Sequence, residues 1–316
     1  MTSNRRYIAT VVISLIGAGV AFAQQIAVVS PSGTTSISQT LQQAIKDAEP
    51  GSVIYLPGGG FQVLDSVKIT KKVSIVGIGH KAKGENADGN TVLGGNLFFN
   101  EGSTGSSVMG CYISGNVQIG YDDAEVHNIV VKYCNANSIQ VKSNKCTGTT
   151  VNQCYLRNSS SFNSASAMIT NNVISSVSGL NGGIVKNNVF KGSSGFDNCS
   201  ISRNIFLGGQ GISNNCISSE NMAAGNVGDN PKNISEIGWE ALFQKYNGGN
   251  VTPASNFQYN DDYFMEYRFI GLYGGTGFDD SCQPPLPFIA DKKISGQTDP
   301  HENLNIKLLV KPGGSK

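Results

Sequence analysis

The frame ITNNVI at residues 169–174 returns as VKNNVF (185–190), ISRNIF (201–206) and ISNNCI (212–217). Each copy places an apolar residue first, Asn fourth and another apolar residue sixth. Upstream, VNQCYL (151–156) and VMGCYI (108–113) keep the frame, and VKYCNA (131–136) keeps it less well. From first residue to first residue the steps are 23, 20, 18, 16, 16 and 11. Self-similarity at such a period marks a chain wound on itself, each turn covering the apolar face of the last. No step holds a stretch long enough for two helices, so the turns must be built from strands. The shortening steps predict coils that taper.

The fourth position then reads Cys111, Cys134, Cys154, Asn172, Asn188, Asn204, Asn215. Parallel strands in register would stack these side chains about 4.8 Å apart. An Asn in such a stack donates its amide to one neighbour and accepts from the other, which satisfies groups that burial would penalise. The repeated Asn is therefore read as a structural ladder. The stacking also argues against disulfides among the three cysteines, whose Cβ atoms would sit near strand spacing rather than about 3.5–4.5 Å apart. They read as small buried apolar residues. With no Cys-x-x-Cys pair and no nearby His, no metal site is expected there.

The first 23 residues form a segment apart. Arg5 and Arg6 precede an apolar run from Tyr7 to Val20, and Ala21-Phe22-Ala23 supplies a small-x-small cleavage site. This describes an export signal, so the protein is expected to be periplasmic, cell-surface or secreted, with no transmembrane segment in the mature chain. Cleavage after Ala23 removes two arginines and no acids, taking the formal balance from +1 to −1. Only Arg157, Arg203 and Arg268 remain as arginines, so nucleic acid is not an expected partner.

After the signal, TTSISQTLQQAIKDAEPG (34–51) reads as an amphipathic helix. Ile37, Leu41, Ile45 and Ala48 fall on one face, and Ser36 and Gln39 suggest a capping box. Short β-branched segments follow, SVIYLP, GFQV, SVKIT and KKVSIVGIG. Beyond the coils, residues 234–246 read as a second helix carrying Trp239. Residues 267–278 read as a last strand and turn, and the stretch after Pro284 as a Pro-rich crossing with a terminal hairpin. The expected organisation is a signal (1–23), a solenoid with its helix (24–230) and a C-terminal part of the same domain (231–316).

Residues 37–79 closely resemble the opening segment of the pectate-lyase-like, right-handed parallel β-helix superfamily, in which a helix caps the end of the solenoid. The Asn-bearing coils are similar to that superfamily's ladders. The resemblance spans roughly Thr35 to Ile217, and the remainder is similar to the ends of secreted bacterial β-helix proteins. It implies an all-β chain, a solenoid with an N-terminal capping helix and a C-terminal closing strand segment. It implies no single activity, since function lives in sites grafted on the fold. The superfamily's lyases bind Ca²⁺ through acids and use Arg or Lys as base. Its hydrolases use several Asp residues with Gly-His-Gly and Arg-x-Lys motifs.

Neither hydrolase motif occurs here, and Val92 to Ile217 contains only five acids. Three of them, Asp122, Asp123 and Glu125, share GYDDAEVH (120–127) with His127. They are the catalytic candidates of a divergent lyase or glycoside hydrolase, and Ca²⁺ is expected only under that reading. The alternative for the segment is a solvated turn. Tyr121, Tyr133 and Tyr155 lie beside the coil motifs and are candidate sugar contacts, or else pack at coil edges. The expectation is an exported scaffold, without cofactor, that contacts an extended polysaccharide or a surface component. A divergent polysaccharide-cleaving enzyme and a structural spacer stand as alternatives.

Overall fold

The repeating frame turns out to be the corner between two strands. In the computed structural model, which describes residues 25–80, 90–163, 165–213, 215–224, 231–233, 237–246, 257–285, 288–294 and 306–311, the chain forms a parallel β-solenoid of about eight turns. Each turn contributes short strands to three faces. Face one stacks Ser52–Tyr55, Val73–Val76, Ser107–Met109, Val130–Lys132, Thr149–Asn152, Ala167–Thr170 and the segments below them. Face two stacks Tyr112–Ile113, Asn135–Ala136, Tyr155–Leu156, Val173–Ile174, Val189–Phe190, Ile205–Phe206 and Asn221–Ala223. Face three stacks Val117–Ile119, Ile139–Val141, Ser160–Ser161 and Val177–Ser178, joined upward to the long strands Gly59–Ile69 and Thr91–Phe99.

Strand register aligns the frames. Val108, Val131, Val151, Ile169, Val185 and Ile201 face one another along the axis, so the fourth positions share one inner edge. There Asn172 Nδ2 donates to Asn188 Oδ1 at 2.9 Å, Asn188 Nδ2 to Asn204 Oδ1 at 2.9 Å, and Asn204 Nδ2 to Asn221 Oδ1 at 3.0 Å. Each Oδ1 also accepts the backbone N–H of the residue above, ending with Cys154 N on Asn172 Oδ1 at 2.8 Å. Above Asn172 the edge is continued by Cys154, Cys134 and Cys111, all fully buried. All seven cysteines are free thiols. Burial pushes the Cys111 and Cys154 thiols well above the ordinary cysteine pKa, as expected of inert packing residues.

The lowest rung is Asn221, not Asn215. Asn215 is exposed in a turn, and Ile212 closes a face-three strand rather than opening a face-one strand. An advance of 11 residues cannot round three faces. The true step is the 17 residues from Asn204 to Asn221, so the steps shorten from 23 to 16 as the spacing suggested and then level off rather than falling to 11.

The third position of the frame has its own physics. Tyr133, Gln153, Asn171, Asn187, Arg203 and Glu220 all adopt positive φ, between 52° and 57°. This left-handed conformation makes the sharp corner, and Asn tolerates it better than most residues. Paired Asn residues therefore divide the labour. The first makes the bend and points outward, and the second points inward to the ladder.

The N-terminal helix is shorter than its periodicity suggested. Thr35–Ser38 pairs antiparallel with Ile26–Val29, which commits its backbone to a strand and leaves Ile37 exposed. The helix runs Leu41–Asp47, capped by Thr40, whose hydroxyl accepts from Gln43 N at 3.2 Å. Leu41, Ala44 and Ile45 are its buried residues and join the solenoid core.

The C-terminal part departs further from expectation. Its described helices are Trp239–Leu242 and Asp261–Tyr267, and residues 268–281 form a turn-rich loop where a strand was expected. The loop's carbonyls bond to the outward asparagines instead of a strand partner. Asn171 Nδ2 donates to Leu272 O and Gly274 O, and Asn187 Nδ2 to Phe269 O and Gly271 O. Beneath it, Tyr155, Val173, Val189, Ile205 and Met222 on the outside of face two form one apolar cluster with Leu242, Phe243, Phe257 and Leu272. Face two is thus covered on both sides. Phe288–Ile294 and Ile306–Lys311 pair antiparallel as a two-stranded unit. The expected signal falls outside the described residues. Among those described, no helix is long and apolar enough to cross a membrane.

Candidate functional site

Face three carries an open row of side chains. Register places Lys68, Phe98, Gln118, Gln140, Ser161 and Ser178 in line along the axis. Their strand neighbours, Leu97 and Phe99, Val117 and Ile119, Ile139 and Val141, are buried in the core. Alternation within each strand therefore turns the row outward. The rungs lie about 4.8 Å apart. Beside the row runs a second amide ladder. Asn116 N donates to Asn96 Oδ1 at 2.8 Å, Asn137 Nδ2 to Asn116 Oδ1 at 2.8 Å, and Asn158 Nδ2 to Asn137 Oδ1 at 2.6 Å.

An aromatic pair stands at the head of the row. Tyr121 lies flat against Phe98, centroids 4.8 Å apart and planes at 12°, with Lys68 Nζ 6.0 Å from the Tyr121 ring. Gly120 makes this possible. Its φ is +74°, and a Cβ there would lie 2.5 Å from Cys146 Sγ and 2.7 Å from Ala124 O. Gln118 Oε1, directly below Phe98, is buried without a hydrogen-bond partner in the protein. An acceptor in that state is costly until a donor reaches it.

The other two tyrosines are differently placed. Tyr133 and Tyr155 are each 7% exposed. The Tyr133 ring sits 4.9 Å from Lys132 Nζ, and Gln153 Nε2 donates to its hydroxyl. Tyr155 is packed under the C-terminal segment, and Lys191 Nζ donates to its hydroxyl at 3.3 Å. Both rings pack at coil edges and present little surface to a ligand. His80 is also buried, where the chain around Gln283 lies against Gly79.

Asp122, Asp123 and Glu125 occupy the turn that leaves face three, and all three are exposed. Asp123 and Glu125 do meet basic groups, though on an exposed corner. Asp123 accepts from Ser143 Oγ at 2.7 Å and from Lys145 Nζ at 2.5 Å. Glu125 Oε1 lies 2.9 Å from His127 Nε2, whose Nδ1 lies 2.8 Å from Thr147 Oγ1. Hydrogen bonds from Lys145 and Ser143 hold the Asp123 carboxyl below its ordinary value. A general acid needs the opposite shift. Among the described residues no three His, Cys, Asp or Glu side chains gather as a metal site.

The Asp123–Lys145 pair makes a checkable prediction. The depressed folded-state pKa means the pairing supports the fold above the ordinary carboxylate value of 3.8 and is lost as pH falls through the lower folded value. Lys145→Ala should move the Asp123 titration upward toward 3.8, read by carboxyl NMR. It should leave stability at neutral pH nearly unchanged, because the pair is exposed.

Two features of this site escaped the frame-based reading. The outward row belongs to triplets on a different face, LFF (97–99), VQI (117–119) and IQV (139–141), each with its outward residue between two buried ones. The corner asparagines fall just before or between these triplets and look like composition until the strands are stacked.

Stacked parallel strands, an inner amide ladder and a helix over the first coils define a parallel β-helix of the pectate-lyase type. A family model described as "Rhamnogalacturonase A/epimerase, pectate lyase-like" matches residues 29–247, and the chain belongs to that family. No curated protein and no solved structure matches the chain.

Proposed function

We propose that the protein is an exported scaffold that holds an extended glycan along face three. The observation that supports this most directly is the outward row itself. An aromatic pair, two glutamines and two serines repeat at the spacing of the strands, bordered by an amide ladder. Sugar rings offer an apolar face to an aromatic platform and hydroxyls to amides, so a polymer laid along the axis meets an aromatic platform at one end and amide and hydroxyl partners at the successive rungs. Membership of a polysaccharide-related family is consistent with this reading. Binding is favoured over cleavage because two of the three acids beside the row, Asp123 and Glu125, are engaged by Lys145 and His127 rather than poised as a proton donor and nucleophile.

The test is binding of the chain from Gln24 to immobilised polysaccharides of varied charge and linkage. Tyr121→Ala should weaken the interaction about tenfold, a loss of roughly 1.4 kcal/mol. Failure to bind across a broad panel would remove the proposal. Unsaturated or reducing ends that form on incubation, and vanish in Asp122→Ala/Asp123→Ala, would replace it with the enzymatic alternative. N-terminal sequencing of protein recovered outside the cytoplasm tests the export half of the reading.

A further inference from the structure

The closing segment builds a groove of its own, away from face three. It has a volume of about 480 Å³, within the range of small-ligand sites, and Gln244, Gln258, Asp261, Phe264, Arg268 and Phe269 contribute to its walls. Phe264 and Phe269 are 50% and 53% exposed, unusual for large apolar side chains that share one concavity. Arg268 lies with its guanidinium carbon 4.7 Å from the Phe269 ring centroid and donates to Met265 Sδ at 3.1 Å. Among the described residues, no carboxylate lies within ion-pairing distance of it.

The groove is held from below. Its loop is tied by Asn187 Nδ2 to Phe269 O and by Asn171 Nδ2 to Gly274 O, both at 2.7 Å. Tyr259, on the groove floor, donates its hydroxyl to Ile270 O at 3.0 Å. The outward asparagines of the coil corners thus position the groove walls, and a ligand would meet a site already in shape.

We infer that this groove is a second saccharide site, for an uncharged sugar residue. Two exposed phenyl faces match the apolar faces of a pyranose. Flat amide, carboxylate and guanidinium groups around them can each engage adjacent hydroxyls through two hydrogen bonds. An apolar occupant would strip water from Asp261 and the two glutamines without replacing their hydrogen bonds. Charge selects the class of sugar. Arg268 is offset by Asp261 in the same walls, and Arg203, which also flanks Phe269, is paired with Glu220. A groove with balanced charge has no surplus cation to reward an acidic sugar.

The site does not depend on the face-three reading, and one experiment separates the two. Trp239, the only tryptophan, stacks on Phe243, which packs against Tyr259 of the groove floor, so its fluorescence is a built-in reporter. The chain from Gln24 would be titrated with oligosaccharides of β-linked glucose, β-linked galactose and arabinose, and with oligogalacturonate. At least one uncharged sugar should shift the emission saturably. Phe264→Ala and Phe269→Ala should each weaken that response tenfold or more, and Tyr121→Ala should leave it unchanged. The inference is overturned if no uncharged sugar in the panel binds, if the response survives the Phe264→Ala/Phe269→Ala double variant, or if only oligogalacturonate produces it. Circular dichroism of each variant confirms that the fold is intact.

Discussion

Asn188→Ala should lower the stability of the protein by roughly 3–5 kcal/mol, among the largest effects a single substitution can have here. Asn188 Oδ1 accepts from both Asn172 N and Asn172 Nδ2, and its amide donates to Ile169 O, Lys186 O and Asn204 Oδ1. Alanine removes all five interactions and supplies none. The residues left behind cannot turn to solvent, because Asn172 and Asn204 are themselves fully buried. Each orphaned buried group costs about 1–3 kcal/mol, and partial relaxation keeps the total below the simple sum. Cys134→Ala, on the same edge, should cost only about 1 kcal/mol, since it mainly deletes a small apolar contact. The two urea midpoints decide the matter. Equal losses would mean that the asparagines merely fill space and that the ladder's hydrogen bonds contribute nothing specific.

That contrast also explains what the sequence made legible. A six-residue frame with fixed apolar and amide positions can have few meanings, and it led directly to the stacked edge from Cys111 to Asn204. It misled at Asn215 because six matching residues say nothing about the length of chain between copies. Only the 17-residue step to Asn221 returns the chain to the same corner. The N-terminal helix was overextended for a related reason. Ile37 fits the helical period, but pairing with Ile26–Val29 overrode it, as tertiary context routinely overrides local pattern. Face three was hidden because its outward row is polar and mixed, and the frame looked only at the opposite corner.

The C-terminal segment was the least legible part, although one clue lay in the frame itself. The fifth and sixth positions are both apolar in Val173-Ile174, Val189-Phe190, Ile205-Phe206 and Met222-Ala223. A two-residue strand points one side chain in and one out, so apolar residues at both positions imply a face covered on both sides. Tyr155 is the uppermost outward residue of that covered cluster, and in the coils above it the outward residues are Tyr112 and Asn135, which lie outside the cluster.

Val189→Asp should therefore detach the closing segment while leaving the solenoid standing. Val189 is fully buried, between Val173 and Ile205 in the strand stack and in one apolar cluster with Leu242, Phe243 and Leu272. An unpaired carboxylate in that seam costs several kcal/mol. Releasing the segment exposes the charge to water, whereas unfolding the coils would sacrifice the separate inner core. Hydrogen exchange should show protection lost across residues 257–285 and retained across 107–206, with protease cutting first near the released segment. Val189→Ala, which only shortens a side chain, should leave the segment docked. If the coils unfold together with the segment, the outer seam is an integral part of the solenoid's stability. If the segment stays docked in Val189→Asp, the outward bonds of Asn171 and Asn187 hold it without the apolar seam. Alanine at those two corners, where φ is 53° and 57°, would then remove the bonds, strain the turn and set the segment free.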